Sequence, residues 1–383
     1  MARHHGSLLI AILNLILPDP REPRRAPVSE PLPITVVSTA DPVLRDSTTL
    51  AIVLDAPAAV ALSYTMGSEA IRRTISDISG VLEDEEVRLE HICLNCALRE
   101  DVIPTLQRLA ALERWSAATL ALPVGAEPQP VAEAIAAAGT QLRIASVVTV
   151  ADLTTLEDDL LGDDLLADRG YELAPGDDRA VAEALAHQIE YADVIITPDR
   201  NARGHDLLDH IRSRESQHWS GLHGINGTWL FGQHHDPMRS ALRNDPRNIE
   251  PALVASEPGG PTWTLDLHSS RPFHPARLMA SIERLASGRI RSRGRFWLPT
   301  RPDALCIWDG AGGQLAIGDG GTWVGTKPST RLVITGTGNE RSRLRNAFTD
   351  ILLTPAEMSS GLSRWAGIDD GFDPWLGGQA TAA

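Results

Sequence analysis

The sequence predicts an α/β protein with a mostly parallel sheet, followed by a second, smaller α/β domain. Short runs of β-branched residues alternate with amphipathic helical segments, which is the pattern of parallel sheets. Residues 233–261 are rich in Pro, Gly, Asn and charge and have no periodicity, which indicates a linker. The 383 residues suit two domains. We therefore expect a first domain over 29–232, the linker over 233–261 and a second domain over 262–376.

Apolar runs predict the strands, and apolar residues at helical spacing predict the helices. The predicted strands of the first domain cover 33–39, 49–55, 87–91, 115–123, 145–150 and 192–197. Its predicted helices cover 71–82, 98–114, 130–138 and 180–191. The helix over 98–114 is the clearest, because it places Leu98, Val102, Leu106 and Leu109 on one face. In the second domain we expect strands at 263–267, 295–298, 304–308, 315–317 and 331–335, with helices at 275–286 and 340–352.

Residues 1–28 are predicted to be a non-native extension or a signal-like segment. Their apolar run, 7–17, is shorter than the roughly 20 residues that span a bilayer, and no small-residue cleavage site follows it. Val28 is the preferred true start, and a short signal anchor is the alternative. The three cysteines do not suit a disulfide scaffold. We therefore expect a cytoplasmic protein with no membrane partner.

The charge balance and the lysine content exclude several classes of protein. With 35 basic and 50 acidic residues, the net charge of −15 argues against binding nucleic acid by bulk charge. Lys327 is the only lysine, and Pro328 follows it directly. A Walker A loop needs a lysine after its glycines at the start of a helix, so the sequence has no recognisable phosphate-binding lysine.

The strongest local motif is His91-Ile92-Cys93-Leu94-Asn95-Cys96. Two thiolates three residues apart can bind one soft metal ion from a turn, and His91 could be a third ligand. Tetrahedral zinc would need one more donor. The alternatives are a redox pair, because a helix N-terminus lowers a thiol pKa, and two reduced cysteines with no role beyond starting a helix.

A second motif is a run of alternating arginines, Arg289, Arg291, Arg293 and Arg295, followed by Phe296 and Trp297. On a strand these guanidinium groups would share one face beside aromatic rings, which is typical of surfaces that bind RNA phosphates and stack bases. We therefore predict an RNA contact there. The alternative is a solvated strand face.

The cysteine motif and the C-terminal third resemble one family. Residues 90–101, with Cys93 and Cys96, are similar to the E-N-G-C-x-C-C-T-L-R-E-D signature of CobW-type zinc-handling GTPases. The tail resembles the CobW C-terminal domain in four segments that fall in the family's order: 271–278, 294–298, 301–303 and 352–358. Together the two resemblances cover most of residues 33 to 376. They imply a P-loop NTPase-like domain followed by a smaller CobW C-terminal domain.

The departures from the family fall on three nucleotide-binding elements and on the middle cysteine of its C-x-C-C motif. The P-loop glycines fall on Thr39, Pro42 and Leu44, its lysine on Arg45 and its threonine on Asp46. Neither Pro42 nor Leu44 has the backbone freedom of glycine, and Asp46 would repel a phosphate. Three further elements have changed. The family's E-T-S-G segment aligns with residues 122–125 and its N-K-x-D motif with residues 196–199, and neither motif is preserved. The middle cysteine of its C-x-C-C motif is replaced by Asn95. The first domain is therefore predicted to be a degenerate P-loop domain, with no catalytic residue, no nucleotide-binding residue, and GTP doubtful as a cofactor.

One subgroup of the family fits better, the actinobacterial CobW-like proteins that recruit a ribosome hibernation factor when zinc is scarce. They are similar in lacking a usable P-loop and in having a CxxC, the Glu-Pro-Gln-Pro at 127–130 and the Gln-x-x-Tyr-Ala-Asp at 188–193. This resemblance implies a non-catalytic, zinc-responsive adaptor with the ribosome and the hibernation factor as partners and zinc at Cys93, Cys96 and His91. The alternatives are a zinc metallochaperone with divergent GTP hydrolysis and a degenerate scaffold.

Overall fold

A computed structural model describes residues 30–249 and 260–378. The predicted extension, 1–28, lies outside the described residues. The architecture is α/β, as predicted, with one sheet of eight strands and one of five. None of the described helices is long and apolar enough to span a bilayer.

The first sheet has the strand order β4-β3-β2-β5-β1-β6-β7-β8, and its six strands from β2 to β8 in that order run parallel. Its strands are β1 (Leu32–Thr39), β2 (Ala59–Met66), β3 (Ile71–Asp77), β4 (Gly80–Val87), β5 (Ala117–Ala121), β6 (Leu142–Val150), β7 (Val194–Thr197) and β8 (Gln217–Ser220). The helices around it are α1 (Pro42–Asp55), α2 (Leu94–Ala97), α3 (Ile103–Ala111), α4 (Pro128–Ala137), α5 (Leu156–Leu161), α6 (Val181–Tyr191), α7 (Ala202–Ile211), α8 (Gly227–Gly232) and α9 (Pro237–Asn244).

A π-helical turn, Leu98–Val102, joins α2 to α3 and makes the segment nearly continuous. As predicted, Leu98, Val102, Leu106 and Leu109 lie on its buried face, in the core beneath β1, β2 and β5. This packing fixes the start of α2, where the two cysteines lie.

The second sheet is antiparallel, in the order β12-β11-β10-β13-β9. Its strands are β9 (Trp263–Ser269), β10 (Ile290–Leu298), β11 (Arg301–Ala311), β12 (Gln314–Thr322) and β13 (Thr330–Gly336). Its helices are α10 (Pro275–Ser281), α11 (Glu283–Ala286), α12 (Arg341–Ile351), α13 (Pro355–Ser359) and α14 (Asp373–Leu376). It has a separate aromatic core that includes Trp263, Phe296 and Trp308.

Three predicted elements are wrong. The predicted strand over 87–91 is not formed, because β4 ends at Val87 and residues 88–91 lead into the cysteine turn without strand structure. The predicted strand over 49–55 is the second half of α1, in which Ile52 and Val53 are buried while Leu50 and Leu54 are exposed. That spacing is helical, but a short apolar run does not distinguish a buried strand from a helix.

The predicted helix over 71–82 is the β3–β4 hairpin. Ile71 and Ile75 are buried, whereas Ile78 and Leu82 are exposed, so the apolar residues at helical spacing do not share a face. Gly80 has φ of +118° and closes the turn, a conformation that suits glycine.

The predicted linker over 233–261 contains the helix α9. Asp236 caps this helix, and Arg243 donates to the carbonyl oxygen of Tyr191 at 3.0 Å, so α9 packs on the first domain. Residues 250–259 of the predicted linker lie outside the described residues.

Candidate metal groove and the phosphate position

The connection between β1 and α1 is too short to hold a phosphate. β1 ends at Thr39 and α1 begins at Pro42, so only Ala40 and Asp41 lie between them. A Walker A loop needs several residues there, so that successive backbone N–H groups can surround the phosphates. Proline at the first position of a helix fits, because its missing N–H would have no intrahelical partner there.

A carboxylate already occupies the N-terminus of α1. Asp41 Oδ1 accepts hydrogen bonds from the backbone N–H groups of Val43 at 2.7 Å and Leu44 at 2.9 Å. These N–H groups and the helix dipole are what would attract a phosphate in a nucleotide-binding protein. The remaining cleft measures about 10 Å³, room for about one water, and Asp152 and Asp159 also line it.

Arg45, at the position of the family's lysine, has other partners. Its side chain is buried, one nitrogen donates to the carbonyl oxygen of Tyr64 at 3.1 Å, and Nε donates to Asp46 at 2.8 Å. Four features therefore work against phosphate binding here: a two-residue connection, a capping carboxylate, an acidic cleft and a cation bound elsewhere.

The two cysteines of the CxxC motif are in contact. Cys93 is the N-cap of α2, and its Sγ accepts a hydrogen bond from the backbone N–H of Cys96 at 3.3 Å. A hydrogen bond from one thiol to the other raises the pKa of Cys96 above its ordinary value, and burial adds to the effect. The turn thus places two sulfur donors where one soft metal ion could bridge them.

His91 is exposed and is not part of a formed three-ligand site. Across residues 30–249 and 260–378, no group of three or more His, Cys, Asp or Glu side chains is arranged to hold a metal ion. The donor chemistry suits zinc, but it supplies two thiolates and leaves further positions open. That arrangement differs from a closed structural zinc site, which has four protein ligands.

Cys93 opens onto a groove of about 420 Å³. Leu94 and Asn95 flank the cysteine, Glu127 and Pro130 form the opposite wall, and the loop 173–179 closes one side. Cys93 and Glu127 therefore line the same groove.

Glu127 is held by two basic groups. Arg179 donates to it at 2.9 Å, and Nδ1 of His187 lies 3.2 Å from its other oxygen. Burial raises the pKa of Glu127, but His187 and Arg179 outweigh burial and lower the pKa below its usual value. The groove therefore contains a carboxylate.

His187 links this groove to the second sheet. Its Nε2 lies 3.2 Å from Asp309 on β11, and Asp309 also pairs with Arg291 on β10. Burial disfavours the charged ring, but the hydrogen bonds and charges of Asp309 and Glu127 raise the pKa of His187 to about 10. The ring is thus an imidazolium clamped between two carboxylates, one from each half of the molecule.

The predicted RNA-binding face is largely buried. Arg291 is 3 % exposed and bonds both oxygens of Glu190 on α6, at 2.9 and 2.8 Å. Arg293 reaches the same carboxylate at 2.9 Å. Arg289 pairs with Asp158, and Arg295 donates to the carbonyl oxygen of Arg247. Arg291 and Arg293 therefore contact α6, and Arg295 contacts the segment before the second sheet, whereas Arg289 stays exposed. The RNA contact stays a prediction.

Sequence reasoning missed the acidic partners of these groups. Glu190 on α6 lies 101 residues from Arg291 in the sequence, and Asp309 lies on β11, which pairs with the strand of Arg291. Glu127 lay within the quoted 127–130 segment, but its position in the cysteine groove depends on the fold.

The C-terminal match decides the relationship to known proteins. Residues 263–352 match the family described as the cobalamin synthesis protein cobW C-terminal domain. The match spans β9 to β13 together with α10 to α12, so the second sheet and its covering helices are similar to a CobW C-terminal domain.

Similarity to known proteins also extends into the first domain. The chain is 26% identical to the zinc chaperone Rv0106 of Mycobacterium tuberculosis, over 82% of this chain and 87% of that protein. It is 23% identical to zinc-regulated GTPase metalloprotein activator 1 of Dictyostelium discoideum, over 73% of this chain and 68% of that protein. A Zn(II)-bound YjiA GTPase from E. coli matches at 14% identity and a TM-score of 0.36, over 84% of this chain and 99% of that one.

Proposed function

We propose that this CobW-like chain is a zinc-responsive adaptor that does not hydrolyse nucleotide and that recruits the hibernation factor to ribosomes when zinc is limiting. One observation is central: the cysteine pair is intact while the phosphate position is filled by the chain itself. Asp41 caps α1, whereas Cys93 and Cys96 remain in contact beside an open groove. A protein with this combination can respond to a metal ion without a nucleotide cycle.

Zinc would act as a signal or a cargo at this site. Cys93 and Cys96 would hold it, with the exposed His91 or a partner's atom completing the coordination. Zinc–thiolate bonds require both thiols to lose their protons, so zinc binding would replace the hydrogen bond between them. Because Cys93 is also the N-cap of α2, zinc occupancy would change how this helix begins and alter the wall of the groove.

The recruiting role rests on the family resemblance of residues 127–130 and 188–193. Gln188 Nε2 donates to the carbonyl oxygen of Ala126 at 2.8 Å, and Asp193 accepts from the backbone N–H of Val147 at 2.9 Å. Both motifs therefore support the groove and the strand edges beside it. The ribosome or the hibernation factor would contact the surface around the groove.

The experiment combines metal binding, nucleotide binding and co-sedimentation on one preparation. We expect about one zinc per chain by calorimetry, no heat from GTP with magnesium, and zinc-dependent co-sedimentation with ribosomes and hibernation factor. Cys93→Ser should lose the zinc and the zinc dependence. Cys306→Ser is the matched control, since that thiol is buried in the second core and lies apart from the motif. Co-sedimentation of Cys93→Ser that still follows zinc would overturn the proposal.

The alternative is a zinc metallochaperone with divergent GTP binding, which the names of the two relatives favour. GTP binding that is strengthened by magnesium would establish it in place of the adaptor.

A further inference from the structure

A wide pocket lies between the second sheet and the chain that follows α13. The strands β11 and β12 and the turn before β11 form one side, and residues 362–378 form the other. The pocket measures about 970 Å³, a size typical of pockets that hold small organic ligands. The cysteine groove has a different lining, so the two sites are separate.

Buried bonds hold the wall formed by residues 362–378 against the sheet. Arg301 on β11 is 5 % exposed and donates to both oxygens of Asp370, at 2.9 and 3.0 Å. The same guanidinium pairs with Asp373 and donates to the carbonyl oxygen of Gly377. Phe372, in the same segment, is buried in the second core. The pocket is therefore formed without a ligand, so binding would not require this wall to become ordered.

Apolar side chains cover much of the pocket wall. They are Pro299, Pro302, Ala304, Leu362, Ala366 and Leu376. All of them except Pro299 keep part of their surface exposed to solvent. A ligand with an apolar body could therefore contact these side chains and remove their surface from water, which is favourable.

Two exposed carboxylates also line the pocket. Asp303 lies on β11 and Asp319 on β12, and both side chains are open to solvent. Asp319 accepts a hydrogen bond from the backbone N–H of Gly321 at 2.8 Å. Within residues 30–249 and 260–378, neither carboxylate forms an ion pair. Both therefore attract a cation that enters the pocket.

The segments that form the pocket contain more acidic than basic residues. Residues 299–306, 319–322 and 362–378 together contain two arginines and five aspartates. One of the two arginines is Arg301, which already pairs with two of the aspartates. The charge that remains on the pocket walls is therefore negative.

The other nearby arginines are bound away from the two free carboxylates. Arg364 lies over the ring of Trp365, 5.2 Å from its centroid, and neither residue lines the pocket. Arg247 reaches the carbonyl oxygen of Gly320 at 3.0 Å, but its charge is paired with Asp245 at 2.7 Å. These cations therefore leave the negative charge of the pocket in place.

We propose that this pocket binds a small organic cation with an apolar body, such as an aliphatic amine. The apolar body would contact Pro302, Leu362 and Ala366. The ammonium group would lie in the negative potential of Asp303 and Asp319, which would repel an anion of the same shape. The site lies apart from the cysteine pair and is independent of zinc and of the adaptor role.

The test compares three probes that have one shape and different charges. At pH 7, 1-adamantanamine is a cation, 1-adamantanol is neutral and adamantane-1-carboxylate is an anion. Titration calorimetry at constant ionic strength measures the affinity of the full chain for each probe. We expect the amine to saturate one site and to bind about tenfold or more tightly than the carboxylate, with the alcohol between them.

Two variants and a control locate the site. Asp319→Asn should weaken binding of the amine by about threefold or more and leave binding of the alcohol unchanged, because only the charge is removed. Ala366→Trp should weaken binding of all three probes by filling the pocket, and Ala366 is exposed, so no core is disturbed. Asp350→Asn removes the same charge from an exposed position on α12, outside the pocket lining, and should bind like the unchanged protein.

Three outcomes would overturn the inference. Absence of saturable heat with the amine at millimolar concentration would show that the pocket takes no small apolar cation. Equal affinity for the three probes, or tighter binding of the carboxylate, would show that the aspartates do not select a cation. Unchanged binding of the amine in both Asp319→Asn and Ala366→Trp would place the probe outside this pocket.

Discussion

Arg45 donates a hydrogen bond to the carbonyl oxygen of Tyr64, 3.1 Å away on the neighbouring strand β2. At the position where a nucleotide-binding relative would have its phosphate-binding lysine, the cation therefore stabilises the sheet. Tyr64 in turn donates to Asp101 at 2.6 Å, and Asp101 pairs with Arg73. Arg45 thus borders a buried network that ties α1, β2, β3 and the cysteine-bearing helical segment together.

Replacing Arg45 should change stability and leave nucleotide binding unaffected. We expect Arg45→Met to lower the free energy of unfolding by about 1–3 kcal/mol, because a buried charged donor and its bonds are lost. Urea unfolding measures this cost, and calorimetry with GTP and magnesium should give no heat for either protein. Arg72→Met, which removes an exposed arginine on β3, is the control and should lower the free energy of unfolding much less than Arg45→Met does. GTP heat that disappears in Arg45→Met would show that Arg45 binds phosphate.

The imidazolium of His187 predicts a loss of stability at alkaline pH. Its folded pKa of about 10 lies above the unfolded value of about 6.5. The stabilisation of the folded state by the charged His187 is therefore complete below pH 6.5 and is lost as the pH rises through about 10. We expect the free energy of unfolding, measured with urea between pH 6 and 10.5, to fall less steeply with pH in His187→Gln than in the unchanged protein. His205→Gln replaces an exposed histidine and should keep the full pH dependence of the unchanged protein. The same pH dependence in all three proteins would contradict a charged His187 held between two carboxylates.

Loss of the ion pair between Arg291 and Glu190 should lower the free energy of unfolding more than loss of a surface ion pair. Both side chains are almost fully buried, so Arg291→Met leaves a buried carboxylate with Arg293 as its remaining partner. We expect a cost of about 3–5 kcal/mol by urea unfolding. The double variant Arg291→Met, Glu190→Gln should recover part of the lost stability, because the buried negative charge is removed. Arg284→Met, which breaks the exposed pair with Asp350, should cost less than about 1 kcal/mol.

The three thiols should differ in reactivity. Burial raises the pKa of Cys306 to about 12, and its side chain is inaccessible, so we expect no alkylation of the native protein at pH 8. Cys93 is half-buried and borders the groove, so it should react first. Peptide mass spectrometry after iodoacetamide treatment measures the order. Zinc should protect Cys93 and Cys96; early modification of Cys306 would contradict the buried placement.

The sequence predicted the elements that are set by residues close together in the chain. Leu98, Val102, Leu106 and Leu109 were correctly placed because one helical face meets one core. The hairpin at 71–87 was missed, since helical spacing of apolar residues cannot show that Ile78 and Leu82 face water. The cysteine pair was visible because its two donors are three residues apart.

Groups that depend on distant partners could not be predicted. The arginines from 289 to 295 alternate as a solvated face would, yet their acceptors come from α5 and α6 of the first domain, from β11 of the second sheet and from the carbonyl oxygen of Arg247. The sequence likewise did not show that the Asp41 carboxylate would occupy the position of a phosphate, because that role depends on where α1 begins.

The buried cluster of Arg291, Glu190, Asp309 and His187 has an evolutionary consequence. These residues come from three elements, α6, β10 and β11, and losing any one of them removes a partner from a buried charge. A single substitution at one position is therefore costly until a second follows. Lineages that share this domain arrangement should change these positions in concert, so an alignment of such proteins should show them covarying across the boundary between the two halves of the chain.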